Sequence, residues 1–194
     1  MRQAVKMGNI YLVGFMATGK TAVGKELAKK AKRNFIDLDE LIELREGRVV
    51  RDIFARSGEP YFRKVEKEVL KEVAQENNFV VACGGGVVID KDNIVVMKKT
   101  GCIICLKASP GIILKRATGF THRPLLNVAN PKERISLMLK LRAPFYALAD
   151  KTIDTSKLTI KEVVAKISRW VKPSNVPVKK ATNIKAKTKN SRQR

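Results

Sequence analysis

Short runs that are apolar at every position alternate along the chain with stretches whose apolar residues recur every three or four positions. Ile10-Tyr11-Leu12-Val13, Phe79-Val80-Val81-Ala82-Cys83 and Cys102-Ile103-Ile104-Cys105-Leu106 are the clearest runs. A strand that is apolar throughout is buried on both faces, which is how strands look in a parallel sheet held between helices. The pattern predicts strands near residues 9–14, 34–38, 79–83, 101–107 and 151–154. Helix-period segments fall near 19–32, 39–46, 49–56, 59–76, 91–98, 109–117, 131–148 and 159–171. Strand and helix therefore alternate, and the expected class is α/β. In such sheets ligands gather at the carboxyl ends of the strands, so the residues just beyond each strand are the first place to look for chemistry.

Directly after the first run stands Gly14-Phe15-Met16-Ala17-Thr18-Gly19-Lys20-Thr21, followed by a helix-period segment from Ala22 onward. This is G-x-x-x-x-G-K-[ST] between a strand and a helix. Glycines let backbone N–H groups close around phosphate oxygens, and the helix offers its positive N-terminal end. Lys20 is expected on the β/γ-phosphates and Thr21 on Mg²⁺.

Other polar residues collect at later strand ends. Asp37 and Asp39 close the second run; one can serve a metal shell while the other reaches an acceptor hydroxyl, although Asp39 can also be a plain helix cap. Arg63 and Glu66 stand three apart at the start of a long helix, either as a surface pair or as an arginine held ready for a substrate carboxylate. Gly84-Gly85-Gly86 follows the third run, and three adjacent glycines suggest close approach of a ligand as well as a turn. Residues 118–131 lack strong structure formers and carry Arg123, which fits a mobile lid that excludes water. The single histidine, His122, sits in that segment without a neighbouring carboxylate to orient it and is not expected to act as a base.

Taken jointly, Gly14-Phe15-Met16 with Gly19-Lys20-Thr21, Asp37-x-Asp39, Ile53-Phe54, Gly58-Glu59-x-x-Phe62-Arg63-x-x-Glu66, Gly84-Gly85-Gly86, Arg123-Pro124-Leu125-Leu126 and Arg142-x-x-x-Tyr146 resemble shikimate kinase, in order and spacing, from about residue 9 to 171. The resemblance implies a three-layer P-loop kinase fold, a five-stranded parallel sheet flanked by helices with a mobile lid at about 117–130. It also implies ATP-dependent phosphorylation of the shikimate 3-hydroxyl, with ATP and Mg²⁺ required, in the route to aromatic amino acids. Carried over by position, Ala17, Thr18, Gly19, Lys20, Thr21 and Ala22 would hold the nucleotide phosphates, and Thr21 with Asp37, through water, would hold Mg²⁺. Asp39 would orient and deprotonate the acceptor hydroxyl. Arg63 and Arg142 would clamp the substrate carboxylate beside the backbone of Gly84, Gly85 and Gly86. Arg123 would reach the ATP phosphates from the lid, and Arg116 would lie near adenine. Ala17 departs from the glycine common at its position, and Asp154-Thr155-Ser156-Lys157-Leu158 matches the adenine-side segment only loosely.

Composition adds boundaries. A chain of 194 residues fits one kinase domain, residues 1–172, and a tail, residues 173–194. Of the formal net charge of +22, the tail carries +7 with no acid, leaving +15 on the domain. With few large apolar residues the tail cannot offset its ordering entropy and is expected to be disordered. It is either a solvated extension, the simpler reading, or a nonspecific polyanion binder; no wider nucleic-acid recognition is expected, since no base-stacking platform accompanies it. Three cysteines make no disulfide framework, and Cys102 and Cys105, three apart on one strand, face opposite ways, which argues against a shared metal. No apolar run approaches the roughly 20 residues of a membrane span. A cytoplasmic monomer is the expected state. Two rivals remain at this stage: another small-molecule P-loop kinase such as a gluconate kinase, and a nucleic-acid-binding module that uses ATP as a switch.

Overall fold

The computed structural model describes residues 8–117 and 129–171. Five strands, β1 (Asn9–Val13), β2 (Asn34–Asp37), β3 (Phe79–Ala82), β4 (Gly101–Lys107) and β5 (Lys151–Asp154), form one sheet in the order β2-β3-β1-β4-β5. Every neighbouring pair is parallel. The phosphate loop thus leaves the central strand, where a neighbour on either side supports it.

Alternation along β1 divides the core in two. Tyr11 and Val13 face one way with Val81 and Ile103, under Leu41, Ile53, Val69 and Met97. Ile10 and Leu12 face the other way with Val80 and Ile104, under Val23, Leu27, Val163 and Ile167. All are below about a tenth exposed, so both faces are covered as the unbroken apolar runs require. Cys102 joins one core and Cys105 the other. Burial pushes their thiols up, to about 12 and about 11, and leaves them unreactive.

The helices are α1 (Lys20–Ala31), α2 (Leu38–Glu46), α3 (Val50–Ala74), α4 (Lys91–Thr100), α5 (Pro110–Ala117), α6 (Pro131–Tyr146) and α7 (Ile160–Trp170). The helices predicted over 49–56 and 59–76 are the two halves of α3, which meet in a kink at Gly58, whose φ of 79° and ψ of 168° only glycine adopts without strain. Pro60 then falls in the first turn beyond the kink, where its missing N–H has no helical partner to lose. A 3₁₀ turn at Val87–Ile89, not foreseen, follows the triple glycine. Among the described residues no helix is long and apolar enough to cross a membrane. Most of the expected lid, with His122 and Arg123, and the expected tail lie outside the described residues.

Candidate functional site

The phosphate loop closes tightly on itself. Gly14 has φ 136° and Gly19 φ 96°, and a Cβ on Gly14 would collide with the Leu106 carbonyl. Ala17 also sits in the left-handed region, φ 59°, which explains why glycine suits that position better. Thr18 Oγ1 donates to Phe15 O at 2.8 Å, bracing the turn from inside. Lys20 Nζ donates to Gly14 O and Phe15 O, each at 3.0 Å, so the ammonium lies over the loop where an anion would sit. Helix α1 opens at Lys20 with no acidic residue in its first turn and no side-chain cap, leaving its positive end open to a ligand.

Asp37 and Asp39 separate at the β2–α2 junction. Asp37, not Asp39, caps α2: its Oδ1 accepts from the Asp39 amide at 3.1 Å and its Oδ2 accepts from Thr21 Oγ1 at 2.8 Å. Although two residues apart at a strand end, they do not share one side, because the chain turns helical at Leu38. Asp39 lies in the first turn of α2, and its Oδ1 is buried with no hydrogen-bond partner. Burial, then the charge of Asp37, pushes its carboxyl up to about 6 against the pull of Lys20 and Arg63.

Arg63 is forked between two acids, Nη1 on Glu66 Oε2 at 2.6 Å and Nη2 on Glu59 Oε1 at 2.9 Å. Glu66 is only 1% exposed. Burial pushes it up to about 7 although Arg63 pulls it down. The triple glycine makes room for these side chains. A Cβ on Gly84 would lie 2.6 Å from Glu66 Oε1 and 3.1 Å from Asp39 Oδ1, and one on Gly86 would strike the Arg63 guanidinium. None of the three has a positive φ, so space and not conformation selects glycine here. Gly85 O accepts from Arg142 Nη1 at 3.3 Å and from Tyr146 Oη at 2.7 Å, tying α6 to the loop after β3. The Arg142 guanidinium also lies over the Phe15 ring, 5.6 Å from its centre.

These groups border a cavity of about 350 Å³ lined by Met16, Ala17, Gly19, Lys20, Thr21, Ala22, Asp37, Asp39, Ala82, Cys83, Gly85 and Arg116. Thr18, Gly84, Gly86, Arg63 and Arg142 are not among the lining residues, although Arg142 bonds Gly85 of the wall and the space above Gly84 is bounded by Asp39 Oδ1. Arg116 reaches it from α5 and is held by Thr155, Nη1 to the hydroxyl at 3.0 Å and Nη2 to the carbonyl at 2.8 Å. The same hydroxyl lies 3.1 Å from Lys107 O and 3.3 Å from Thr18 O. Sequence reasoning assigned Thr155 no role; its position one residue past the last strand was the available signal. Arg123 lies outside the described residues.

The family model for shikimate kinase matches residues 16–172. The chain belongs to the shikimate kinase family. The shikimate kinase of Thermoanaerobacter pseudethanolicus is 50% identical over 161 residues, covering 83% of this chain and 94% of that protein. That of Thermodesulfovibrio yellowstonii is 48% identical over 161 residues, covering 83% and 93%. Among solved structures, shikimate kinase from Acinetobacter baumannii in complex with shikimate superposes with a TM-score of 0.81 at 36% identity, covering 85% of this chain and 93% of that one. A shikimate kinase uses ATP to phosphorylate shikimate, and membership in the family makes this chain an ATP-dependent phosphotransferase of aromatic biosynthesis with a P-loop kinase fold.

Proposed function

We propose that the cavity is divided into a donor half and an acceptor half, and that the 3-hydroxyl of shikimate receives the γ-phosphoryl group of ATP between them. The observation that carries this reading is that Asp39 lines the same cavity as Gly19, Lys20 and Thr21 of the phosphate loop. A hydroxyl that attacks phosphorus must lose its proton, and the Asp39 carboxylate is the acceptor that the cavity wall offers. With a carboxyl pushed up to about 6, Asp39 is ionised at neutral pH yet basic enough to take that proton.

In the donor half, backbone N–H groups from Ala17 to Ala22 and the N-terminus of α1 hold the phosphates. Lys20 exchanges its two carbonyl partners for phosphate oxygens. Thr21 and Asp37, already joined at 2.8 Å, offer hard oxygen ligands suited to Mg²⁺, Asp37 through water. The ion supplies charge neutralisation on the phosphates when bound. Arg116 borders adenine and Arg123 reaches the phosphates from the lid. In the acceptor half, Arg63 and Arg142 face a carboxylate, and the Gly84–Gly86 backbone lies against the ring hydroxyls. The reading is of one kinase domain over residues 1–172, cytoplasmic and monomeric, with residues 173–194 as an appended basic tail.

The test is ADP release coupled to a spectrophotometric readout, with and without shikimate. Release many times the ATP-only rate, with a product heavier by one phosphate, is the expected result. An unchanged rate, or gluconate serving as well as shikimate, overturns the reading, since a site of buried polar groups rejects a substrate that leaves them unpaired.

A further inference from the structure

Past its N-terminal proline, α6 keeps only Ile135, Met138, Leu139, Arg142, Phe145 and Tyr146 from full exposure. They are spaced three and four apart, as one helix face requires, and Arg142 is the single charged residue among them. On one side of it Ile135, with Met138 and Leu139 beside it, packs with Phe15, Ala108 and Ile113. On the other side Phe145 and Tyr146 pack against the larger core. The guanidinium is thus set into an apolar seam, where a cation drawn out of water needs partners.

Its partners differ in kind from those of the other arginine beside the triple glycine. Arg63 is compensated by the carboxylates of Glu59 and Glu66. Arg142 is in no ion pair among the described residues. Gly85 O accepts from its Nη1 at 3.3 Å, and the ring of Phe15 lies under its Cζ, 5.6 Å from the ring centre. Burial pushes the neighbouring Tyr146 hydroxyl up to about 12, against the pull of Arg142, so that group is neutral as well. Of these uncharged partners the aromatic face is the one whose quadrupole attracts a cation as such.

Phe15 is 1% exposed although it belongs to the phosphate loop. Its carbonyl accepts from Thr18 Oγ1 at 2.8 Å and from Lys20 Nζ at 3.0 Å, so its backbone is part of the donor loop while its ring lies under a cation of α6. A Cβ on Gly85 would lie 3.6 Å from Gly14 O and 3.7 Å from both Met16 N and Arg142 Nη1, which shows how closely the two loops and Arg142 converge. A leucine would fill the small core beside Ile113 and Ile135 equally well. It would offer Arg142 nothing.

We infer that Phe15 is a positioning residue for the acceptor: its ring face holds the Arg142 guanidinium in place without a counter-charge, which leaves that charge for the substrate carboxylate to neutralise. The inference rests on the reading of Arg142 as a carboxylate clamp given above. It makes a side chain of the phosphate loop a determinant of acceptor affinity.

The experiment places mono-, tri- and pentafluorophenylalanine at position 15 of the full chain by nonsense suppression. Fluorination weakens the negative face stepwise while nearly conserving ring volume. The expected result is a stepwise rise in KM for shikimate, reaching about three- to tenfold with the pentafluoro ring, the change falling on KM for shikimate and not on kcat. The same series in an Arg142→Met chain, read as kcat/KM for shikimate, is expected to be flat, because the ring then has no cation to hold. A flat KM for shikimate across the series in the parent chain would overturn the inference and leave the clamp standing, as would an equal rise in the Arg142→Met chain. If Arg142→Met by itself leaves KM for shikimate at the parent value, the clamp reading falls and the inference falls with it.

Discussion

Both carboxylate oxygens of Asp37 are occupied, one by the Asp39 amide and one by the Thr21 hydroxyl, whereas Oδ1 of Asp39 has no partner. Asp39→Asn keeps the shape and removes the basicity. Turnover is expected to fall about 10² to 10⁴-fold with KM for ATP little changed, measured by steady-state kinetics in both substrates. An unaltered turnover would remove Asp39 from the chemistry. Thr155 calls for a finer test. Thr155→Val keeps the volume and removes the hydroxyl's bond to Arg116 while leaving the carbonyl's, so KM for ATP is expected to rise about two- to tenfold, the worth of one hydrogen bond, with KM for shikimate unaffected and Thr155→Ser restoring the parent value. The two residues differ in how far sequence could find them. Asp37-x-Asp39 was visible as a pair, but which one capped the helix was not, because either residue type caps equally well and the answer depends on where the backbone turns at Leu38. Thr155 was opaque because its partners Thr18 and Arg116 are remote in the chain, 137 and 39 residues away, and meet it only across the sheet.

Helix α3 shows what a single backbone position does for a whole element. Its first half carries Ile53 and Phe54 into the core, and its second half aims Arg63 and Glu66 at the loop after β3. Phe54 and Phe62 pack across the bend with ring centres 4.6 Å apart, so the two halves hold a fixed angle. Gly58→Ala would place a side chain at φ 79°, ψ 168°, a region that costs of order 1–3 kcal/mol for any residue with a Cβ. The expected outcome is a loss of that size in denaturant-derived stability, together with a raised KM for shikimate and a KM for ATP near the parent value. Equal stability would mean that the kink relaxes. The break itself was legible, since Ser57-Gly58 and Pro60 interrupt the period of apolar residues. The 3₁₀ turn at Val87–Ile89 escaped, for three β-branched residues in a row have no helical period and owe their turn to the glycines before them. Strands were read more easily: β4 and β5 have the predicted bounds, β4 because a buried parallel strand is apolar until it leaves the sheet, whereas β5, at the sheet edge, buries only Ile153.

Across the whole molecule, the acids beside Gly84 set how stability responds to pH. In the folded chain burial holds Asp39 at about 6 and Glu66 at about 7, each above its value of roughly 4 in an unfolded chain. Between these limits the folded state binds more protons than the unfolded one, so stability rises as pH falls from about 7.5 toward 4.5. Asp90, Asp154 and Glu162 have the opposite habit: despite the opposing desolvation, hydrogen bonds to backbone amides or neighbouring side chains hold them below the usual range, and their contribution is lost only as pH falls through their folded values. The ligand-free protein should therefore melt at a higher temperature near pH 5 than near pH 8, with a decline below about pH 4. Differential scanning calorimetry at constant ionic strength reads this directly. Glu66→Gln, which keeps the volume and an acceptor for Arg63 but cannot ionise, is expected to flatten the rise between pH 7.5 and 5. A rise of the same steepness in that variant would assign it to Asp39 and not to Glu66. Because both raised carboxyls crowd the place that a Cβ on Gly84 would take, the penalty they put on the folded state at neutral pH is the thermodynamic counterpart of the proposed role of Asp39 as a proton acceptor.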